Sequence, residues 1–340
     1  MKKFIIALSA LLLALLVTGC SCNPPSQLSF SPNWKKSETV SAGYQATTTY
    51  DVKLNKSFIL GDNNYSKTDK VDSVFEDYNF VGTYTETVSV IEVSDYNKDK
   101  SEILEDSKNA TLLKINTLLE LTATYKQVGK ETVTYNDFVK TESYLLDTDN
   151  ALAPIYTESE NNYSVVNIAN ANPIQTLHFK TTMLYTKNKM SCKQQEFKYG
   201  ENVETAKPLS ENVYTTDYSY KCLIDNTSLL FALRNLNYSK DKATYLPVVA
   251  PAYRASVDLT VSYADDIKIN DALNLSWETK LINFVSSNTD KMGMPQLVFL
   301  QNKEVGGKNN SLIVKYVSPL AEYSSDYARL GALEYLLKTY

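Results

Sequence analysis

Beyond residue 38 apolar and polar side chains trade places at every second position. The alternation runs through about 39–56, 78–93, 110–126, 131–146, 153–159, 175–186, 189–199, 213–224, 253–263, 273–286, 295–302 and 311–317. A period of two is the signature of strands with one face buried. Turn-forming residues punctuate the runs: Gly61-Asp62-Asn63-Asn64, Gly129-Lys130, Gly200-Glu201-Asn202 and Gly306-Gly307-Lys308-Asn309-Asn310. Short links between alternating runs favour hairpins, so the pattern predicts a mainly β (α+β) chain built on antiparallel sheet.

One segment departs from this period. In 224–238, IDNTSLLFALRNLNY, Leu229, Leu230, Leu233 and Leu236 fall on one helical stripe, and Asp225 or Asn226 can cap it. The spacing predicts an amphipathic helix at about 226–236 packed on one face of the sheet. The C-terminal YARLGALEYLLKTY reads two ways. Its residues are helix formers at roughly helical spacing, yet Leu333, Tyr335 and Leu337 also share one side of a strand. Gly43-Tyr44-Gln45-Ala46-Thr47 and Ala252-Tyr253-Arg254-Ala255-Ser256 run parallel, too briefly to establish a duplication.

The first residues read differently again. Met1-Lys2-Lys3 precedes an apolar run, Phe4 to Val17, broken only by Ser9. That run is shorter than the roughly 20 residues a spanning helix needs, and it fits a secretory signal. Val17-Thr18-Gly19-Cys20 resembles the lipobox of bacterial lipoproteins. The resemblance implies cleavage before Cys20 and lipid (palmitate-type) attachment to it. The chain would then sit on the extracytoplasmic face of the cell membrane. Residues 21–38, rich in Ser, Asn and Pro, read as a flexible tether, with Trp34 either docked or exposed. The expected organisation is therefore 1–19 signal peptide, 20–38 tether and 39–340 a β-rich domain, with a division into two sub-domains considered near 160.

Composition narrows the chemistry. Removing Lys2 and Lys3 with the signal leaves 32 basic against 39 acidic residues, a formal charge of −7, which opposes nucleic-acid binding. Only 10 of 340 residues are Gly, and neither a phosphate-cradling GxGxxG nor a GxxxxGK[ST] occurs. No GxSxG nucleophile elbow is present, and Ser239-Lys240-Asp241-Lys242 meets S-x-x-K with no K-T-G elsewhere. The single histidine, His178, shares a strand face with Thr176, Lys180 and Thr182 and is expected in solvent; one His cannot build a histidine zinc site. Residues 95–106 place Asp95, Asn97 and Asp99 at the first EF-hand positions. Lys100 replaces the turn glycine and Asp106 the bidentate Glu, so a solvated connection is expected. Asp147-Thr148-Asp149-Asn150 and Asp265-Asp266 read as turns.

A second resemblance covers about 135–340. YNDFVKTESYLLDTDNALAPIYTES at 135–159, then DNTSLLFALRNL, PQLVFLQNKE and SLIVKYVSPL, follow in an order similar to a family of uncharacterised exported bacterial proteins, a domain of unknown function. That family is akin to the lipoprotein-localisation-factor half-barrel superfamily. The resemblance implies a strongly curved antiparallel sheet with a helix against its concave face. It supplies no catalytic residues.

With Cys20 lipidated, three cysteines remain. Cys22 lies on the tether, while Cys192 and Cys222 fall in consecutive predicted strands. A hairpin centred near 206 gives partners whose numbers sum to about 412; Cys192 and Cys222 sum to 414. A Cys192–Cys222 disulfide and a pair of reduced, buried cysteines both fit. Tyr214, Tyr218, Tyr220 and Cys222 share one strand parity, a face that suits either an apolar ligand or plain core. The expected protein is thus a non-enzymatic, membrane-anchored lipoprotein without cofactor, metal or nucleic acid. It would bind an apolar or lipid-like ligand on a curved sheet or, alternatively, act as a structural or interaction protein of the envelope with no small-molecule ligand.

Overall fold

Strands with one apolar face must pair edge to edge and turn that face inward, and in the computed structural model of the chain nearly all of them do so in one sheet. The described residues are 43, 45–60, 63–64, 69–99, 102–105, 111–147, 152–168, 170–187, 189–217, 224–225, 228–234, 238, 244–250, 255–285, 297–301, 312–320 and 330–340. The signal, tether, Trp34 and Cys20 lie outside them.

Chain order begins with β1 (Gln45–Asn55), a small hairpin of β2 (Ile59–Leu60) and β3 (Asn63–Asn64), and helix α1 (Asp69–Asp72). β4 (Phe75–Ile91) leads through a 3₁₀ turn (Val93–Asp95) and α2 (Glu102–Glu105) to β5 (Thr111–Gln127). Then come β6 (Thr132–Asp147), β7 (Leu152–Val166), β8 (Ile174–Tyr185), β9 (Lys189–Phe197), β10 (Ser210–Asp217) and β11 (Ile224–Asp225). After α3 (Leu229–Leu233) the chain continues as β12 (Thr244–Ala250), β13 (Ala255–Asn270), β14 (Ser276–Val285), β15 (Leu297–Gln301), β16 (Ile313–Pro319) and β17 (Ala332–Thr339). Among the described residues fifteen of these strands form one sheet, ordered β10-β9-β8-β7-β6-β5-β4-β1-β17-β16-β15-β14-β13-β12-β11. Every pairing is antiparallel except the short one between β11 and β12. The sheet is open, with β10 and β11 at its ends, and curved enough to bring β11 against β7. The division considered near residue 160 falls inside β7, in mid-sheet.

Curvature gathers the inward side chains. Tyr50 and Val52 of β1, Phe80 of β4, Tyr125 of β5, Val261 of β13, Val298 of β15 and Tyr335 of β17 belong to one buried cluster. Each such side chain contributes about 1.5–3 kcal/mol on burial. Gly82 lies on this face of β4, where a Cβ would collide with the Glu120 carbonyl of β5, so the two backbones close up there as no other residue would allow. On the opposite face Ile103 and Leu104 of α2 cover Leu112, Tyr144 and Leu146.

The helix differs from its expectation. Asp225 is a strand residue of β11 rather than a cap, and the described helix is five residues long. It packs on the concave side as expected, but Leu229, Phe231, Ala232 and Leu233 are all buried, so it is an enclosed plug rather than a helix with a single buried stripe. Leu236 lies outside the described residues. The C-terminal segment is strand β17: hydrogen bonding to β1 and β16 on both sides overrides its helix propensity. Asp265-Asp266, expected as a turn, sits within β13 at a register shift.

Candidate functional site

The sheet opens between β6 and β7. Their ladder extends from Asp147↔Leu152 to Phe138↔Asn162 and stops. Beyond it β6 continues to Thr132 paired with β5 alone, and β7 to Val166 paired with β8 alone. Backbone groups freed by such a parting need other partners, and the β9–β10 link supplies some. The Tyr199 hydroxyl lies 2.9 Å from both the Asn136 carbonyl and Asp137 Oδ1. The Gly200 amide donates to Asn162 Oδ1 at 2.8 Å, from a left-handed backbone (φ 77°) that favours glycine.

Asp137 is the carboxyl at this fork. Ser164 Oγ donates to its Oδ2 at 2.6 Å, and the Tyr125 hydroxyl lies 3.1 Å from Ser164 Oγ. Burial pushes the Asp137 carboxyl above its usual range, and the bonds from Ser164 and Tyr199 offset that only in part. Beside it a cavity of about 150 Å³ opens, walled by Phe80, Leu119, Leu121, Val139, Val165 and Leu330, with Tyr125, Asp137 and Ser164 as its polar side. A concave, mostly apolar space with a few convergent polar groups is the ordinary form of a small-molecule site.

A second polar assembly lies in the centre of the concave face and is filled. Arg234, following α3, pairs with Glu86 of β4 at 2.7 Å, with both side chains at least nine-tenths buried. Tyr50, Tyr84, Tyr316 and Tyr335 surround the pair; Tyr316 and Tyr335 stack at 3.9 Å and the other contacts are edge-on or tilted at 5.7–6.1 Å. Burial opposes the Arg234 charge, but Glu86 and Tyr50 outweigh it and hold the guanidinium pKa up. Its Nε has no hydrogen-bond partner among the described residues.

The residues singled out from sequence are scattered. His178 is on the predicted face of β8 but is 1 % exposed, which corrects the expectation of solvent. Its ring packs between Phe138 and Phe197, with Nδ1 3.0 Å from the Lys198 carbonyl and Nε2 3.2 Å from Glu160. The outward side chains of β6, β8 and β9 thus enclose it. Asp95 ends the 3₁₀ turn, and Asp95, Asn97 and Asp99 are exposed, as a solvated connection requires, while Lys98 among them pairs with Glu142 at 2.8 Å. Asp106, Asp149, Asn150 and the Ser239–Lys242 stretch lie outside the described residues. Among the described residues no group of three or more His, Cys, Asp or Glu is placed to hold a metal ion. Cys192 is buried in β9 opposite Tyr214. Partners in that hairpin sum to 406, not 412, because the ladder already begins at Ser210↔Glu196. Cys222, Tyr218 and Tyr220 lie outside the described residues.

Sequence reasoning passed over Asp137, Glu86 and Arg234. For the two acids the signal is parity: Asp137 shares one with Tyr135 and Val139, and Glu86 with Tyr84 and Val88, so each stands on an inward-facing register.

No protein-family model matches the chain, and no curated protein matches it. Among solved structures the chain is similar to a β-barrel-like protein of a domain of unknown function, DUF1849, from Brucella abortus, at 9 % identity and a TM-score of 0.42, over 88 % of this chain and 98 % of that one.

Proposed function

We propose that the chain is a membrane-anchored, extracytoplasmic binding module, non-enzymatic, that holds a small apolar or lipid-like ligand between β6 and β7. The observation that carries the reading is the mostly apolar cavity of about 150 Å³ with one carboxyl on its polar side. A dry cavity of about that size admits a benzene-sized group. The Asp137 oxygens accept from Ser164 and Tyr199 and keep lone pairs for one more donor. A ligand ending in a hydroxyl or amine suits that wall, whereas a carboxylate would meet a like charge. The lipobox resemblance at Val17–Cys20 supports the anchor.

The test uses two matched probes, benzyl alcohol and benzoate, followed through the backbone amide resonances of β6 and β7. Benzyl alcohol should shift them and benzoate should bind at least about tenfold more weakly, a difference of about 1.4 kcal/mol. Amides of β6 and β7 that respond to neither probe would refute the site. A second reading, an interaction protein of the envelope with no small-molecule ligand, draws on the filled centre around Glu86 and Arg234. Native mass spectrometry of protein extracted from membranes separates the two: a retained small molecule supports the first, a retained protein the second.

A further inference from the structure

The β13–β14 hairpin carries leucines on the outside of a turn that is otherwise tightly built. Asp271, 6 % exposed, organises it. Its Oδ1 accepts the amides of Leu273 and Leu275, each at 2.9 Å, and its Oδ2 accepts the Trp277 indole N–H at 2.8 Å. The Ala272 amide donates to the Leu337 carbonyl of β17 at 2.8 Å, and Asn274 takes a left-handed φ of 62°. Within this fixed frame Leu273 and Leu275 are 57 % and 56 % exposed. The Trp277 ring meets Tyr340 edge-on at 5.7 Å. Turns ordinarily carry polar residues, so two leucines on a rigid tip beside an aromatic pair need a partner, and the pair is the composition found where protein meets the edge of a bilayer.

Topology indicates which partner. β1 enters the sheet at Gln45, opposite Ser89, and Thr49 pairs with Thr339 near the end of β17. The hydrogen bond from Ala272 to Leu337 fastens the hairpin tip to that same end. The segment leading from Cys20 therefore joins the domain at the end where Leu273 and Leu275 project. Twenty-four residues lie between Cys20 and Gln45, which as coil correspond to a mean span of roughly 27 Å. The cavity, bounded by Leu320 after β16 and Leu330 before β17, lies at the opposite end of those strands.

We propose that the 271–275 tip is a membrane-contact loop that inserts Leu273 and Leu275 into the interfacial layer of a lipid bilayer and holds the domain with its cavity end facing away. This rests on the reading of the chain as membrane-anchored. The flanking charges are matched, Lys268 with Glu278 at 3.3 Å and Lys338 with Asp51 at 2.8 Å, so the contact is apolar and needs no anionic lipid.

The test is the depth of Trp277, in the lipidated chain bearing Trp34→Phe, on phosphatidylcholine vesicles with and without brominated acyl chains. Bromine contact should quench the emission by about a third or more, and Leu273→Ser/Leu275→Ser should abolish the quenching while leaving the melting temperature within about 2 °C, since both side chains are exposed. Unquenched Trp277 emission overturns the proposal. The mass of the N-terminal peptide reports the anchor separately. A lipidated Cys20 with unquenched Trp277 removes the loop and keeps the anchor; an unmodified Cys20 with quenched Trp277 keeps the loop alone.

Discussion

The concave side of this sheet meets the same difficulty twice and resolves it in two ways. At its centre Glu86 is a carboxylate buried among aromatic rings, and the chain brings Arg234 to it on the heel of a buried helix. At the fork of β6 and β7 Asp137 is a carboxyl buried beside mostly apolar walls, and it receives neutral donors, the Ser164 and Tyr199 hydroxyls and the Ser164 amide. The centre is closed by ring-on-ring packing, while the fork keeps about 150 Å³ unfilled. A buried charge that is matched by a counter-ion and sealed reads as architecture. A carboxyl that is solvated by neutral donors and left beside space reads as a site. The contrast separates two buried carboxylates that residue type and burial alone would class together.

The largest expected effect lies in the centre. Arg234→Met should cost about 3–5 kcal/mol, because it leaves Glu86 charged and unpaired in the core. Glu86→Leu/Arg234→Met should recover most of that loss, since neither charge then remains buried. Urea unfolding of the three proteins checks it, and a single variant within about 1 kcal/mol of the parent would show that the pair is not sealed. Leu233→Ala, at a fully buried helix position in the same region, should cost about 2–5 kcal/mol.

These positions also show what the amino-acid pattern can reveal. Strands were legible where one face is apolar and the other polar, as in β4, β5 and β8. β12 was not, because TYLPVVA is apolar on both parities and contains Pro247, which lacks the N–H a ladder uses. β7 runs past its expected end because Glu160 to Tyr163 are polar on both parities, yet β8 pairs with them all the same. His178 was placed on the correct face, but its burial depends on Phe138 and Phe197 converging from other strands, a long-range fact absent from any local window. The Asp137 parity was visible; that β6 and β7 part just beside it was not, because alternation is the same on either side of the fork.

At the fork the expected effects on stability are small and those on binding larger. Val139 lines the cavity with its side chain half-buried. Val139→Phe should therefore shift unfolding free energy by less than about 1 kcal/mol, because the added ring has space to enter. The same change should weaken benzyl alcohol binding by about tenfold or more, equal to about 1.4 kcal/mol. Titration calorimetry beside thermal unfolding reads both. A variant that loses stability as Leu233→Ala does would place the fork in the same class as the centre.

The smallest effect, and the finest test of the contrast, is in its pH dependence. β6 carries two carboxyls that burial shifts upward, Asp137 and, five positions on, Glu142. At Glu142 the bonds from Lys114 and Lys98 outweigh burial and hold the carboxyl below its usual value; at Asp137 the neutral donors do not, and it stays above. The linkage signs are therefore opposite. For Asp137 the folded state binds more protons than the unfolded one, so its contribution falls as pH rises from the unfolded carboxylate value, about 3.9, through the raised folded value. For Glu142 the contribution is present above about 4.3 and is lost as pH falls through the lowered folded value. Asp137→Asn should thus gain on the parent as pH rises from 4 to 7, with a slope difference below about 1.4 kcal/mol per pH unit. Glu142→Gln should lose ground over the same range. Paired denaturant unfolding curves at pH 4, 5.5 and 7 measure both. If Asp137→Asn tracks Glu142→Gln, its carboxylate is held by charge after all, and the fork is architecture like the centre.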